Sequence, residues 1–301
     1  MIPKVTGPER PPYLSEGELG KRVDEALSRI VRSGEKVLCV VPDQTRTFPL
    51  PFFFRRIFAA LAGRVASLDF MIALGTHPSL GRDAIDRLFG LAPGELESAF
   101  KGTRILNHAW KDESALASVG TISAAEIEAL SGGLLSLDLD VKINARALEY
   151  DRLLVCGPVF PHEVAGFSGG NKYFFPGISG PDVIDATHWL GALVTSRETI
   201  GVKDTAVRRA IDLAASRLPT PRSALCAVVD HHGVFGLFSG SCEGAWSEAV
   251  ALAARTHIAY LDEPVRRVVS ILPEMYDELW VGAKGMYKLE PVVADGGEIV
   301  V

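Results

Sequence analysis

The segment from Pro161 to His188 combines two histidines, His162 and His188, with Lys172 on a glycine-rich turn. It follows an apolar run over residues 152–157, which is typical of a buried strand. A buried core does not need histidine and lysine at this spacing. We therefore expect the segment to hold a charged group that carries a phosphate or a metal.

The turn before Lys172 contains Gly169 and Gly170, which permit tight turns and close approach of the backbone to a ligand. The turn is not a P-loop, because GxxxxGK[ST] is absent, and it does not contain the GxGxxG pattern of dinucleotide-binding proteins. A lysine at this place can hold a phosphate, or it can carry a covalent cofactor through its amine. The residues alone leave both alternatives open.

His188 lies on or near a helix that begins at about Gly180-Pro181, where proline suits the first helical position. A neutral imidazole there can ligate a metal. No CxxC, HExxH or carboxylate-rich motif accompanies it, so a metal would need ligands from elsewhere.

Two shorter polar motifs also follow strand-like apolar runs. Asp43 and Arg46 follow the run 36–41, and their spacing predicts one face of a helical turn with Asp43 as its N-cap. Arg46 is then either a surface arginine or a group that binds a carboxylate. His77 follows the run 66–74, and it either bonds a nearby carbonyl or acts as a general acid/base.

The other candidate side chains are less distinctive. Lys284, between glycines, is either a solvated lysine at a helix end or a second cation that faces an anionic substrate. His108 and His257 are expected to be structural. His231 and His232 are expected to point to opposite faces of a strand, which disfavours a shared metal.

The elements that must position these residues are read from apolar runs and helical periodicity. Strands are expected at residues 36–41, 66–74, 152–157, 224–229 and 268–272. Helices are expected at residues 18–33, 51–62, 83–89, 124–130, 205–213 and 242–254. This alternation predicts an α/β fold with a mostly parallel sheet, in which ligands bind beyond the carboxyl ends of the strands. Because the polar motifs follow such runs, we expect them to share one site.

Composition limits the class of protein. The chain has 301 residues, 48% of them hydrophobic, and a net charge of −6, which is ordinary for a globular protein and argues against a nucleic-acid partner. The N-terminus lacks the apolar core of a signal peptide, and nowhere do 18 apolar residues run together, so we expect a cytoplasmic protein without a membrane partner. The four cysteines are far apart and are expected to be reduced, and three of them lie in or beside apolar runs, as small buried residues do.

Taken together, the motifs resemble the nickel-dependent lactate racemases and related 2-hydroxyacid racemases and epimerases. The resemblance covers most of the chain in order. Its residues are Asp-x-Thr-Arg at 43–46, Gly-x-His at 75–77, HxxAGFSGGxKxxxPGI at 162–178, His188 sixteen residues after the lysine, and Lys-Gly-Met at 284–286. The long block is highly specific, whereas the two short motifs are not.

The resemblance implies a nickel-pincer nucleotide, a pyridinium mononucleotide with two thio-acid arms, tethered to Lys172 through a thioamide. It implies that His188 completes the coordination of nickel, that Gly169 and Gly170 belong to the cofactor site, and that Asp43 either orients a base or holds the cofactor. Because three of the four metal ligands then belong to the cofactor, one protein histidine suffices. An S,C,S,N ligand set suits nickel.

The implied reaction is racemisation or epimerisation of a 2-hydroxy acid through transient oxidation. His77 or His162 takes the hydroxyl proton while the Cα hydride passes to the cofactor, and the planar keto acid receives the hydride back on either face. Two histidines are required because each enantiomer presents its hydroxyl to a different base. Arg46 and Lys284 are implied to bind the substrate carboxylate.

Two departures from the family pattern bear on the substrate. Val281 stands where the lactate enzymes carry a glutamine, and the chain is shorter than the typical member. We therefore expect lactate or a larger, less polar analogue, with cofactor-maturation enzymes as partners and a homo-oligomer as one option. The alternative is a non-catalytic carrier of the nucleotide, favoured by the same departures and disfavoured by the presence of both candidate bases. A redox enzyme that uses free NAD is weaker, because the dinucleotide glycine pattern is absent.

The expected domain organisation follows from the same features. Residues 1–264 are expected to form an N-terminal α/β cofactor-binding catalytic domain, and residues 265–301 the first part of a second α/β domain. A proline and charges make residues 260–267 a candidate linker. The chain stops on an apolar strand, so we expect a natural or ancestral version to continue further.

Overall fold

The structure is a computed structural model that describes residues 3–273, 276 and 279–301, without the side chains of residues 280 and 281. The described strands are β1 (Val5–Thr6), β2 (Lys36–Val41), β3 (Ser67–Ile72), β4 (Ile105–Asn107), β5 (Leu116–Ile122), β6 (Leu139–Asn144), β7 (Arg152–Pro158), β8 (Pro161–His162), β9 (Gly166–Phe167), β10 (Arg222–Val229), β11 (Val234–Gly240), β12 (Tyr260–Leu261), β13 (Val265–Val269) and β14 (Val293–Val300).

The described α-helices are α1 (Glu16–Ile30), α2 (Leu50–Leu61), α3 (Arg82–Phe89), α4 (Glu95–Ser98), α5 (Ala124–Ser131), α6 (Pro181–Val194), α7 (Ser196–Thr199), α8 (Ala206–Ser216), α9 (Cys242–His257), α10 (Leu279–Gly282) and α11 (Lys284–Tyr287). Within the described part of the chain, no helix is long and apolar enough to cross a membrane.

A six-stranded sheet in the order β11-β10-β7-β2-β3-β4 forms the centre of the fold. Neighbouring strands from β10 to β4 are parallel, and only β11 runs antiparallel, beside β10. The predicted α/β fold with a mostly parallel sheet is therefore confirmed. Helices cover both faces, which explains why the strands are continuous apolar runs rather than alternating ones.

Strand β2 shows how the chain makes two cores from one sheet. Val37, Cys39 and Val41 pack into one apolar cluster, and Leu38 and Val40 pack into the other. Side chains alternate between the faces of a strand, so a run that is apolar at every position serves both clusters. All four cysteines are buried and free, as the sequence analysis predicted.

Some predicted elements need correction. The strand expected at 268–272 is β13, which begins at Val265, and the linker expected at 260–267 contains β12 and the start of β13. Strand β12 pairs with β1 near the N-terminus, which gives this segment a place in a small sheet. The hairpin β5-β6 and strand β11 were not predicted, because their runs are interrupted by polar residues and glycine.

The C-terminal segment follows the predicted order of strand, loop, helix and strand in its described residues. Strands β13 and β14 pair in parallel in a two-stranded sheet of their own. Residues 274–275 and 277–278, inside the expected loop, lie outside the described residues. The assignment of this segment to a second domain stays a prediction.

Candidate functional site

The loop after β2 folds into a compact turn instead of starting a helix. The Asp43 Oδ1 atom accepts hydrogen bonds from the Thr45 backbone N–H, at 3.0 Å, and from the Thr45 hydroxyl, at 2.6 Å. Arg46 Nη1 donates to the same hydroxyl oxygen at 2.9 Å. The next helix begins only at Leu50. The prediction that Asp43 caps a helix is therefore wrong, because its side chain closes this Asx-type turn.

Asp43 also holds His77, which lies just after β3. The second carboxylate oxygen of Asp43 is hydrogen-bonded to His77 Nδ1. Burial alone raises the pKa of the Asp43 carboxyl, but the hydrogen bonds from His77 and Thr45 and the charge of Arg46 outweigh burial and lower the pKa. A carboxylate that accepts the Nδ1 proton leaves Nε2 of the neutral ring free to accept another. The hydrogen bond from Asp43 thus fixes the orientation of the His77 ring.

The His77 loop is joined to the lysine segment through its backbone. The Gly75 N–H donates to the Gly177 carbonyl oxygen at 2.9 Å, and the Gly177 N–H donates to the Lys172 carbonyl oxygen at 3.1 Å. A Cβ atom at Gly177 would overlap the Tyr173 carbonyl oxygen. The close approach of these segments depends on a glycine at this position.

Lys172 lies on a one-turn 3-10 helix, residues 170–173, that begins at the second of two glycines with positive φ angles, Gly169 and Gly170. A Cβ atom at Gly169 would lie 2.5 Å from Val159, and one at Gly170 would lie 2.9 Å from Trp246. The packing of these residues gives a structural reason for both glycines. Their predicted contact with a cofactor stays a prediction.

The amine of Lys172 has an unusual environment. Burial lowers the pKa of Lys172 to about 7, and the positive charges of Arg46, Arg208 and Lys284 act in the same direction, whereas Glu163 opposes them. At neutral pH a large part of such an amine is unprotonated. An unprotonated amine is a nucleophile that can be acylated.

Asn171, next to the lysine, anchors the turn on its other side. Its side-chain nitrogen donates to Asp212 Oδ1 at 3.0 Å and to Glu243 Oε1 at 2.8 Å. The asparagine is buried, and burial raises the pKa of Asp212. Sequence reasoning missed Asn171, because its partners lie on α8 and α9, far away in the chain.

His162 forms part of β8 and is 6% exposed. Its Nδ1 atom accepts the backbone N–H of Val164 at 3.1 Å and that of Ala165 at 3.4 Å. A neutral imidazole whose Nδ1 accepts carries its proton on Nε2. Burial holds the pKa of His162 well below its usual range, and the charge of Lys172 acts in the same direction. Near neutral pH, His162 is therefore uncharged.

Glu163, which sequence reasoning also missed, joins His162 to the C-terminal segment. Its Oε1 atom lies 3.1 Å from Lys284 Nζ, and its Oε2 atom lies 3.9 Å from His162 Nδ1. Burial alone raises the pKa of Glu163, but its interactions with the His162 ring and with the Lys284 ammonium group outweigh burial and hold the pKa far below its usual value. Lys284 thus lies beside Glu163, and its predicted contact with an anionic substrate stays a prediction. The side chain of Val281 lies outside the described part of the structure.

His188 lies on α6, and its Nδ1 atom is 2.7 Å from the Ile184 carbonyl oxygen. Nδ1–H therefore donates to the backbone, and the lone pair of Nε2 is free for a metal. The protein around the ring lowers the pKa of His188 by desolvation, and the charge of Lys172 acts in the same direction. Across residues 3–273, 276 and 279–301, no group of three His, Cys, Asp or Glu residues could hold a metal.

Electrostatics show that the predicted residues lie in one site. The charge of Arg46 lowers the pKa values of Asp43, His162 and Lys172, and the charge of Lys172 lowers that of His188. Such effects require groups that lie near one another. The site lies at the carboxyl ends of β2, β3 and β7, where the sequence placed it.

The other histidines do not enter the site. His108 is buried, donates from Nε2 to the Ser179 carbonyl oxygen at 2.9 Å and accepts from Asn144 at 3.2 Å. Burial lowers the pKa of His108 to about 4, so it is a neutral structural residue, as predicted. His231 and His232 lie in the turn between β10 and β11, with ring centroids 3.8 Å apart. The prediction of opposite faces is wrong, because the two residues do not belong to a strand.

A family model described as the lactate racemase N-terminal domain matches residues 20–201, more than half of the chain. The chain belongs to this family. Of the nine site residues that the resemblance implies, Lys284 lies beyond the matched range. The other eight lie within it: Asp43, Arg46, His77, His162, Gly169, Gly170, Lys172 and His188. The resemblance stated from the motifs is confirmed.

Two lactate racemases are similar to the chain in sequence. The one from Thermoanaerobacterium thermosaccharolyticum is 24% identical over 302 residues, and the alignment covers 96% of this chain and 66% of that protein. The one from Lactiplantibacillus plantarum is 23% identical over 284 residues, and the alignment covers 92% of this chain and 62% of that protein. The chain thus spans about two thirds of the length of the lactate racemases that it matches.

Solved structures support the fold. A crystal structure of a protein from Thermotoga maritima is 28% identical, with a TM-score of 0.84, and the match covers 97% of this chain and 71% of that one. The lactate racemase apoprotein from Thermoanaerobacterium thermosaccharolyticum is 22% identical, with a TM-score of 0.75, and the match covers 95% of this chain and 67% of that one.

Proposed function

We propose that this protein is a racemase or epimerase of a 2-hydroxy acid, lactate or a larger analogue, that works with a nickel-pincer nucleotide tethered to Lys172. One observation carries the proposal. A half-buried lysine with a pKa of about 7, an imidazole with a free Nε2 and an Asp–His pair lie at one edge of the sheet. Membership of the lactate racemase N-terminal domain family supports it.

The residues present fit such a cofactor. The unprotonated amine of Lys172 would form the thioamide, and His188 Nε2 would be the protein ligand of nickel. When bound, the cofactor supplies the acceptor and donor of the Cα hydride. The protein then has to orient the substrate and move the hydroxyl proton.

His77 is the residue best placed to move that proton. Its Nε2 atom takes the hydroxyl proton of the substrate, and Asp43, on Nδ1, stabilises the imidazolium that forms. We assign Asp43 to this orienting role. Arg46 and Lys284 bind the substrate carboxylate, and the ion pair of Lys284 with Glu163 places the ammonium group at the site before substrate arrives.

A carrier of the nucleotide that does not isomerise anything is the second candidate. It is favoured by one observation, the two backbone N–H groups that hold Nδ1 of His162 as an acceptor. In that state the second candidate base already has a proton on Nε2 and cannot take another without rearrangement.

Co-expression with the enzymes that build the cofactor distinguishes the two candidates. The intact mass of the protein is measured first, with Lys172→Ala as the control, and the optical rotation of a panel of 2-hydroxy acids is followed next. We expect an adduct that disappears in the variant, nickel that is lost in His188→Ala, and racemisation that is lost in His77→Ala. An adduct without turnover of any hydroxy acid favours the carrier, and the absence of an adduct refutes the tether.

A further inference from the structure

The two histidines of the site are held in opposite ways. Nδ1 of His77 donates to Asp43, so Nε2 of the neutral ring is ready to accept a proton. Nδ1 of His162 accepts two backbone N–H groups, from Val164 and Ala165, so its Nε2 already carries one. A base that works at Nε2 needs its own proton on Nδ1, as His77 has it.

A proton on Nδ1 of His162 would face those two N–H groups and would need an acceptor. Four charged side chains act on the pKa of His162, and Glu163 alone among them is negative, beside Lys172, Arg46 and Lys284. Its Oε2 atom lies 3.9 Å from His162 Nδ1. A charge-assisted hydrogen bond is about 2.8 Å long, so a movement of about 1 Å would make one.

We propose that Glu163 is a positioning residue that accepts the Nδ1 proton of His162, so that His162 can take the hydroxyl proton of the substrate at Nε2. The inference rests on the proposed function. Before the step, Nε2 of His162 releases its proton to water and Nδ1 takes one from water, where Glu163 accepts the hydrogen bond. The substrate O–H bond then breaks as its proton passes to Nε2, and the Nδ1 proton stays on the ring. The other oxygen of Glu163 remains on Lys284, which connects the second base to the group that binds the carboxylate.

The consequence is a pair of unequal bases. The Asp43–His77 hydrogen bond is already made, whereas the Glu163–His162 bond is made only when the ring or the carboxylate moves. The enantiomer whose hydroxyl faces His77 therefore meets a prepared base. For the other enantiomer, the hydrogen bond between Glu163 and His162 Nδ1 must form first.

The first test uses the full-length apoprotein and needs no turnover. Ring nitrogen shifts of His162 are followed by NMR against pH in the wild type, in Glu163→Gln and in Glu248→Gln, a matched change at an exposed glutamate of α9. We expect a proton on Nε2 at neutral pH and a titration midpoint that falls by about one pH unit in Glu163→Gln alone. An unchanged midpoint overturns the proposal. If acid unfolds the protein first, the same variants are compared in a Lys172→Met background, which removes a neighbouring cation.

The second test asks whether Glu163 positions His162 or only holds the side chain of Lys284 in place. In the cofactor-loaded enzyme, Lys284→Met should raise KM, because it removes a cation from the carboxylate site. Glu163→Gln should lower kcat by about a hundredfold without raising KM, because it leaves Lys284 free for substrate but weakens the second base. A raised KM with unchanged kcat in Glu163→Gln would show a structural role only and would overturn the inference. If no hydroxy acid is turned over, the NMR result still decides the role of Glu163.

Discussion

The amine of Lys172 should titrate near pH 7 in the folded protein. A model lysine has a pKa of about 10.4, so about one amine in 2,500 is unprotonated at pH 7. With a pKa of about 7, about half of the Lys172 amines are unprotonated at the same pH. The reactive fraction is therefore about a thousand times larger than in a model lysine.

Competitive acetylation measures this fraction directly. The folded protein is labelled with a trace of acetic anhydride between about pH 5 and pH 10, together with N-acetyl-lysine amide as the reference, and peptides are quantified by mass spectrometry. The labelling of Lys172 should rise to a plateau with a midpoint near 7. A midpoint close to that of the reference would refute the argument that burial and nearby cations activate the amine.

Two variants test the sign of the electrostatic effects. Arg46→Met removes a cation that lowers the pKa of Lys172, so the midpoint should move to higher pH. Glu163→Gln removes the opposing carboxylate, so the midpoint should move to lower pH. Shifts in the reverse directions would show that the side chains are not arranged around the amine as described.

Asp43→Asn should lower kcat of the loaded enzyme by about 10² to 10⁴ with little change in KM, because an amide cannot hold the Nδ1 proton of His77 in the same way; unchanged kcat would remove the pair from the mechanism. Gly166→Ala should lower the free energy of unfolding in urea by about 1–3 kcal/mol more than Gly34→Ala does. Both glycines have positive φ angles, but only at Gly166 would the added Cβ overlap a backbone carbonyl oxygen. Equal losses in the two variants would show that this overlap costs nothing. The pKa of His108 is about 4 in the folded protein, below that of a histidine in the unfolded chain. Its neutral form therefore stabilises the fold above the unfolded pKa, and this stabilisation is lost as the pH falls toward 4. Between about pH 6.5 and pH 4, the free energy of unfolding should therefore fall by about 3 kcal/mol less in His108→Gln than in the wild type. An equal fall in the two proteins would contradict a neutral, buried His108.

The sequence predicted the strands of the sheet better than the loops that follow them. Strand β2 lies where its apolar run predicts, since a strand covered on both faces must be apolar throughout. Asp43 was wrongly placed at a helix start, because its spacing to Arg46 fits a helical turn and an Asx turn alike. Only the fold shows that α2 begins later, at Leu50.

The site could be predicted in its parts but not in its connections. His77 and His162 follow strands of the sheet, whereas Lys172 and His188 lie within helices, and their residue types already suggest chemistry. The partner of His162 could not be found in this way, because an acidic residue next to a histidine has no distinctive spacing and its ion pair comes from the far C-terminal segment. The proposed role of Glu163 depends on its ion pair with Lys284 in that segment.

The position of the lysine beside His162 has a consequence for maturation of the protein. Acylation turns an ammonium group into a neutral amide, and the cation that it removes is one of those that keep His162 from accepting a proton. Attachment of a group at Lys172 therefore raises the proton affinity of the second histidine. Under the proposed function, the covalent step that would attach the cofactor to Lys172 would therefore also prepare the imidazole of His162 to accept a proton.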